Sequence, residues 1–201
     1  GTRELPDWGM VAQMLNNKEK GTLYPGGIRK MQMSEIHDLG KTYLDRANRH
    51  RQGAPYFTDK MPNNFAHIGL IATIMPNAKV IDARRHPLDS CIGCFKQHWA
   101  LGQTYAYDMF ELGEFYLEYD SLMEHWNQVL PGKVLRVQYE DVVQDLEMQV
   151  KSILDYCNLP FEESCINFHQ TKRSVATASS EQVRQPIYTK SLNTWKKFES
   201  H

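Results

Sequence analysis

The sequence predicts an α/β fold in which helices cover both faces of a parallel sheet. Three observations carry that expectation. Short apolar segments at Tyr56-Phe57-Thr58, Lys79 to Ala83 and Val134-Leu135-Arg136-Val137 read as strands. Stretches of helical periodicity separate them, so successive strands run in the same direction. Cations close two of the strands: Lys60 follows the first, and Arg84-Arg85 the second. Open α/β sheets bind ligands beyond the carboxyl ends of their strands. Fixed positive charge beside a helix N-terminus there suits an anion such as phosphate or sulfate.

The elements follow in order. Asp7 to Leu15 has helical spacing, and Lys18 to Arg29 is rich in Gly, Lys and Pro and reads as a loop. Ser34 opens a helix to about Arg49, with Ile36, Leu39, Tyr43, Leu44 and Ala47 on one face. Gly53-Ala54-Pro55 turns the chain into the first strand. Asn63 or Asn64 is expected to cap a helix carrying Phe65, Ile68, Leu70, Ile71 and Ile74, which Pro76 ends. After the second strand, Pro87 suits the first turn of a helix reaching about Trp99. A long helix from Asp108 to Leu130 spaces Phe115, Leu122 and Trp126 along one side. Pro131-Gly132 turns into the third strand, and a helix from Glu140 to Cys157 follows. Thr171 to Tyr188 is polar and aperiodic and reads as a long functional loop. A short last helix holds Leu192, Trp195 and Phe198.

Bulk composition narrows the function classes. The 201 residues suit one domain. Hydrophobic residues make up 41% and charged residues 23%, as in ordinary soluble globular chains. Lys plus Arg (23) nearly balances Asp plus Glu (24), for a net charge of -1, which argues against a nucleic-acid binder. An anion site must therefore come from locally placed cations. No apolar run is long enough for a membrane span, and no secretory signal opens the chain at Gly1. The cysteines are Cys91, Cys94, Cys157 and Cys165, too few for a disulfide scaffold, so a cytoplasmic, reducing setting is expected. Cys91-Ile92-Gly93-Cys94 spells C-x-x-C, but Cys157 and Cys165 supply no second pair, so partly buried helix cysteines are expected and no metal site.

Asp59-Lys60-Met61-Pro62-Asn63-Asn64-Phe65, then Met75-Pro76-Asn77-Ala78-Lys79, then Arg85-His86-Pro87-Leu88-Asp89, together resemble the sulfotransferase superfamily. The likeness is greatest to bacterial sulfotransferases often fused to helical repeats and to tyrosylprotein sulfotransferases. Val137-Gln138-Tyr139-Glu140-Asp141 resembles the family's strand-then-Tyr-Glu motif. Ser179-Ser180-Glu181-Gln182-Val183-Arg184-Gln185-Pro186 resembles its C-terminal donor-covering loop. The similarity runs from about Glu4 to Trp195, and its strength lies in several weak motifs in the right order.

The resemblance implies a P-loop-like three-layer α/β fold with a central parallel sheet, a single sulfotransferase domain over 1–201. It implies in-line transfer of a sulfuryl group from 3′-phosphoadenosine 5′-phosphosulfate (PAPS) to a hydroxyl or amine. Arg85 would bind the donor's 3′-phosphate. Lys60 would neutralise charge on the bridging oxygen and the leaving 5′-phosphate. Tyr139 would line the nucleotide pocket, and Ser180, Arg184 and Gln185 would close over it. Glu4, in Arg3-Glu4-Leu5, stands where the family carries its catalytic glutamate and is the candidate base. His67 and His98 are rival bases. His86 is either a phosphate contact or a turn residue.

Three departures are visible in the sequence. The Gly/Ser/Thr-rich loop that cradles the 5′-phosphosulfate, with its N-terminal strand, is expected upstream of Glu4 and is absent from these residues, so the domain reads as N-terminally incomplete. The position eight after Arg85, usually a serine, is Gly93, with Ser90 one turn earlier as a substitute donor. Gln185 stands where related enzymes carry a lysine. The alternative functions are a binding module or pseudoenzyme of the same fold without turnover, and a P-loop small-molecule kinase. No G-x-x-x-x-G-K-[ST] supports the kinase. The acceptor is a small molecule or peptide of unread identity. Tyr105, Tyr107 and Phe110 are either acceptor-side or packing residues, and a homodimer is compatible with the sequence.

Overall fold

A computed structural model of the chain describes residues 4–16, 23–51, 53–99, 102–170 and 184–199. The chain divides into two compact units, one built mainly from residues up to Ala78 and the other from Lys79 onward.

The first unit is helical. It contains α1 (Asp7–Met14), α2 (Met33–Arg51) and α3 (Ile68–Ile74), with short 3₁₀ turns at Gly26–Lys30 and Pro62–His67. Its core is Trp8, Val11 and Ala12 from α1, Tyr43 and Ala47 from α2, and Leu70, Ile71 and Ile74 from α3. Those spacings of three and four residues put each set on one helix face. Trp8 stacks on Tyr43 with ring centroids 4.0 Å apart. Burial of each large apolar side chain is worth roughly 1.5–3 kcal/mol, so this cluster dominates the unit's stability. Gly40 lets α2 and α3 approach closely: a Cβ there would lie 3.1 Å from Ile74 Cγ2 and 3.2 Å from the Ile74 carbonyl oxygen.

The second unit carries the sheet. Its elements are β1 (Val80–Arg84), α4 (Pro87–Phe95), α5 (Met109–Val129), β2 (Val134–Gln138), α6 (Tyr139–Gln144) and α7 (Leu146–Cys157). The strands pair in parallel, in register from Val80 opposite Val134 to Arg84 opposite Gln138. Both strands therefore end together, and both are followed at once by a helix. Asp108 caps α5 by accepting from the amides of Phe110 (2.8 Å) and Glu111 (3.0 Å). Gly132, at φ 74°, makes the turn into β2 that a side chain would strain.

Several expectations need correction. Tyr56-Phe57-Thr58 is not a strand. A strand exists only where a neighbour supplies a hydrogen-bond ladder, and among the described residues none pairs with this segment. Lys60 therefore does not close a strand. The helix expected from Asn63 or Asn64 begins as a 3₁₀ turn with Pro62 in its first turn and no side-chain cap. The helix expected over 87–99 stops at Phe95. The helix expected over 140–157 breaks at Asp145, whose carboxylate accepts from the Met148 amide (3.0 Å) and starts α7. The last helix is a 3₁₀ turn, Thr194–Phe198. Among the described residues, no helix is long and apolar enough to cross a membrane.

Candidate active site

The arginine pair after β1 divides into two jobs. Arg84 is buried, with its Nε 2.6 Å from Asp82, its Nη1 2.5 Å from Asp120 and its guanidinium over the Tyr119 ring. Burial opposes its charge, but Asp82, Tyr119 and Asp120 outweigh burial and hold its pKa above the ordinary arginine value. Arg84 is thus committed to the interior. Arg85 is the available cation, its side chain 29% exposed.

Arg85 sits between the end of β1 and the start of α4. Its guanidinium carbon lies 5.2 Å from the centre of the Tyr139 ring, at the first residue of α6. The parallel register explains this meeting, because Arg84 is opposite Gln138 and each chain takes one step further. Nη2 of Arg85 donates to the Ser191 carbonyl and lies 3.8 Å from Asp89 Oδ2. Its Nε is buried and has no hydrogen-bond partner among the described residues. The Tyr139 hydroxyl and Ser191 Oγ are 2.8 Å apart.

Glu140 fixes the turn after Arg85. Its Oε1 accepts from the His86 amide (2.9 Å), and its Oε2 accepts from Gln138 Nε2 (2.6 Å). Burial would raise the Glu140 pKa. Hydrogen bonds from the His86 and Glu140 amides and from Gln138, helped by the Arg85 charge, win and hold it below the ordinary glutamate value. His86 precedes α4 as its N-cap residue and stacks on Trp195 (centroids 5.2 Å apart, planes 6° apart). Its ring is thereby engaged by the C-terminal turn.

On α4, Ser90 is half-buried, with its amide bonded to the His86 carbonyl (2.9 Å). Gly93 is exposed, and a Cβ built there meets nothing within 4 Å. Arg184 and Gln185 are exposed. Ser180 lies outside the described residues. Cys91 and Cys94 are free thiols, and burial pushes both pKa values up, which disfavours the thiolate that metal or redox chemistry needs. Among the described residues, no group of three or more His, Cys, Asp or Glu converges to hold a metal ion.

The first unit brings Glu4 and Lys60 together: Lys60 Nζ donates to Glu4 Oε1. Both side chains are more than half exposed, at 63% for Lys60 and 52% for Glu4. The residue before Lys60 is anchored, because Asp59 Oδ2 accepts from the Tyr43 hydroxyl (2.8 Å). Burial raises the Asp59 pKa, against hydrogen bonds from Tyr43 and Asn64. Tyr43 belongs to the helical core, so Lys60 projects from a segment tied to α2.

Of the rival bases, His67 is half-buried and its Nδ1 lies 3.0 Å from the Tyr24 hydroxyl. Burial lowers its pKa. A histidine held neutral in the fold stabilises it fully above the unfolded value, about 6.5, and ever less as pH falls through that value toward the folded pKa. The melting temperature should therefore fall from pH 7 to pH 5, and His67→Gln should flatten that slope. An unchanged slope in the variant would refute the assignment. His98 is exposed. Tyr105 stacks on Phe115 (centroids 3.9 Å apart), a packing role, and the Tyr107 hydroxyl donates to the Trp99 carbonyl (2.9 Å). Phe110 is 73% exposed.

Sequence reasoning missed Ser191, Thr194 and Trp195 as neighbours of the Arg85 turn. Ser191 is separated from Arg85 by 106 positions, so no local pattern links them.

Comparison with known proteins is consistent with this arrangement. The model of the sulfotransferase family matches residues 13–163. An uncharacterised protein of Aquifex aeolicus (strain VF5) is 32% identical over 181 residues, covering 89% of this chain and 24% of that protein. The chain thus spans about a quarter of that relative's length. A solved structure, a sulfotransferase domain from the curacin biosynthetic pathway, matches with a TM-score of 0.53 at 17% identity, covering 91% of this chain and 64% of the other. That likeness shows the fold, a helix-rich α/β arrangement around a small parallel sheet. With a family model spanning well over half of its length, the chain belongs to the sulfotransferase family.

Proposed function

We propose that the chain is the sulfotransferase domain of a PAPS-dependent enzyme with a P-loop-like fold, acting on a hydroxyl or amine of a small molecule or peptide. The observation that carries the reading is Arg85: a partly exposed guanidinium over the Tyr139 ring, beyond two parallel strand ends and beside the start of α4. Its Nε has no hydrogen-bond partner among the described residues. A 3′-phosphate is the complementary group, and guanidinium is suited to it by charge and fork geometry. The donor, when bound, supplies an activated sulfuryl group on a 5′-phosphate.

The remaining roles belong to this chain's own residues. Glu4 takes the acceptor's proton as the new S–O or S–N bond forms. Lys60 would neutralise the negative charge that gathers on the bridging oxygen as the bond to the 5′-phosphate breaks. Their mutual contact keeps base and cation side by side. Tyr139 offers a ring against the nucleotide, and Ser90, Arg184, Gln185 and Ser180 are further donor contacts.

A second reading is a binding module without turnover. The Glu4–Lys60 ion pair favours it, since each candidate catalytic group is already partnered. Incubation of the full-length protein with PAPS and a panel of hydroxyl and amine acceptors separates the two. Acceptor-dependent release of 3′-phosphoadenosine 5′-phosphate (PAP) supports the enzyme; stabilisation by PAP with no release supports the binding module. PAP should raise the melting temperature much more than ATP, and equal shifts would sink the assignment to a 3′-phosphate.

Gly93 gives a gain-of-contact test. The open space around it accepts a side chain, and serine is a better helix former than glycine by roughly 0.5 kcal/mol. Gly93→Ser should raise the melting temperature slightly and tighten PAP binding by roughly ten-fold, the worth of one hydrogen bond to a charged acceptor. Unchanged PAP affinity, by calorimetry, would remove this position from the donor site.

A further inference from the structure

Asp89 stands in the first turn of α4, and its side chain is only 1% exposed. Its Oδ1 accepts from the Thr194 hydroxyl (2.6 Å) and from the Trp195 amide (2.8 Å). Its Oδ2 faces Arg85 Nη2 at 3.8 Å and has no hydrogen-bond partner among the described residues. One buried carboxylate therefore has one oxygen on a turn more than a hundred positions away and the other toward the candidate donor-binding arginine. A buried charge of this kind persists only when paired and hydrogen-bonded.

The same C-terminal segment meets the arginine's surroundings at three more points. The Ser191 carbonyl accepts from Arg85, Ser191 Oγ contacts the Tyr139 hydroxyl, and Trp195 stacks on His86. Every one of these residues lies in the second unit. Burial would raise the Asp89 pKa, but Thr194, Trp195, Arg85 and the Asn193 amide together hold it low, so the carboxylate is charged at neutral pH.

We infer that Asp89 is a positioning residue that couples seating of the Ser191–Phe198 segment to the orientation of Arg85, so that anion binding at Arg85 and docking of that segment reinforce each other. The inference rests on the proposed role of Arg85 in holding the donor's 3′-phosphate. Docking presents the Ser191 carbonyl and the Asp89 carboxylate to Nη2 of the guanidinium and so fixes its pose for an anion. Ordering the guanidinium in that pose, in turn, favours the docked segment. Such coupling is reciprocal by thermodynamic necessity.

The test uses the full-length protein, with PAP as probe, and reads amide hydrogen exchange over 191–198 together with PAP affinity. Wild type should bind PAP, and exchange at Thr194 and Trp195 should slow several-fold on binding. Asp89→Asn keeps an oxygen for the turn but removes the charge facing Arg85. It should bind PAP at least several-fold more weakly, and PAP should no longer slow exchange in the turn. Thr194→Val removes one bond to Asp89 without touching Arg85, and serves if Asp89→Asn fails to fold. It should speed exchange of the turn and weaken PAP by a similar factor.

PAP binding to wild type with no change in the turn would overturn the inference and leave the donor assignment standing. Equal slowing of exchange in wild type and in the variants would do the same. Absence of PAP binding to wild type, or equal binding by Arg85→Ala, would overturn the donor assignment and this inference with it.

Discussion

On the proposed assignment Lys60→Ala should lower kcat by roughly 10²–10³-fold, about 2.7–4 kcal/mol, the cost of removing a preorganised charge opposite a developing negative charge. PAP affinity should stay within a few-fold of wild type, since in the proposed role the lysine acts on charge that exists fully only in the transition state. The fold should be little affected. In the folded protein Lys60 makes an exposed ion pair with Glu4, and such pairs contribute about 0–1 kcal/mol. Melting temperature, PAP calorimetry and single-turnover kinetics on one preparation separate the three effects. A loss confined to affinity, with kcat intact, would take Lys60 out of the transition state.

Arg85→Ala weakens PAP binding by roughly 10–150-fold, the range for hydrogen bonds to a charged group of about 1.5–3 kcal/mol. Here the fold does feel the change, because the guanidinium also donates to the Ser191 carbonyl and lies over Tyr139. The melting temperature should drop modestly. Arg85→Lys separates charge from shape: it keeps the cation without the planar fork, and its PAP affinity should fall between wild type and alanine. If lysine matched arginine, the site would be reading charge alone.

The meeting of Arg85 with Tyr139 was largely legible in the sequence, for a local reason. Val80 to Arg84 is a strand whose end is marked by paired arginines, and Pro87 starts the next helix where the sequence placed it. Tyr139 follows β2 just as Arg85 follows β1, so parallel pairing alone brings them together. The sequence could not say which arginine is spoken for. That depends on Asp82, Tyr119 and Asp120 converging on Arg84 from two elements.

Failures arose where structure depends on remote partners. Tyr56-Phe57-Thr58 has strand-like composition, but a strand is a property of a pair. The 140–157 helix has continuous periodicity, yet Asp145 can satisfy the Met148 amide itself and restarts the helix there. The Asp89–Thr194 and Arg85–Ser191 contacts each span more than a hundred positions, beyond any local periodicity. Glu4 and Lys60 lie 56 positions apart; the family resemblance named each, and no spacing foretold their contact.

The most direct test of the account compares PAP with adenosine 5′-phosphate, which differ only by the 3′-phosphate, on wild type and on Arg85→Ala. Calorimetric dissociation constants should show that wild type prefers PAP by at least ten-fold and that the preference collapses toward unity in the variant. A preference of equal size in both proteins, or none in wild type, would contradict the claim that Arg85 holds the donor's 3′-phosphate.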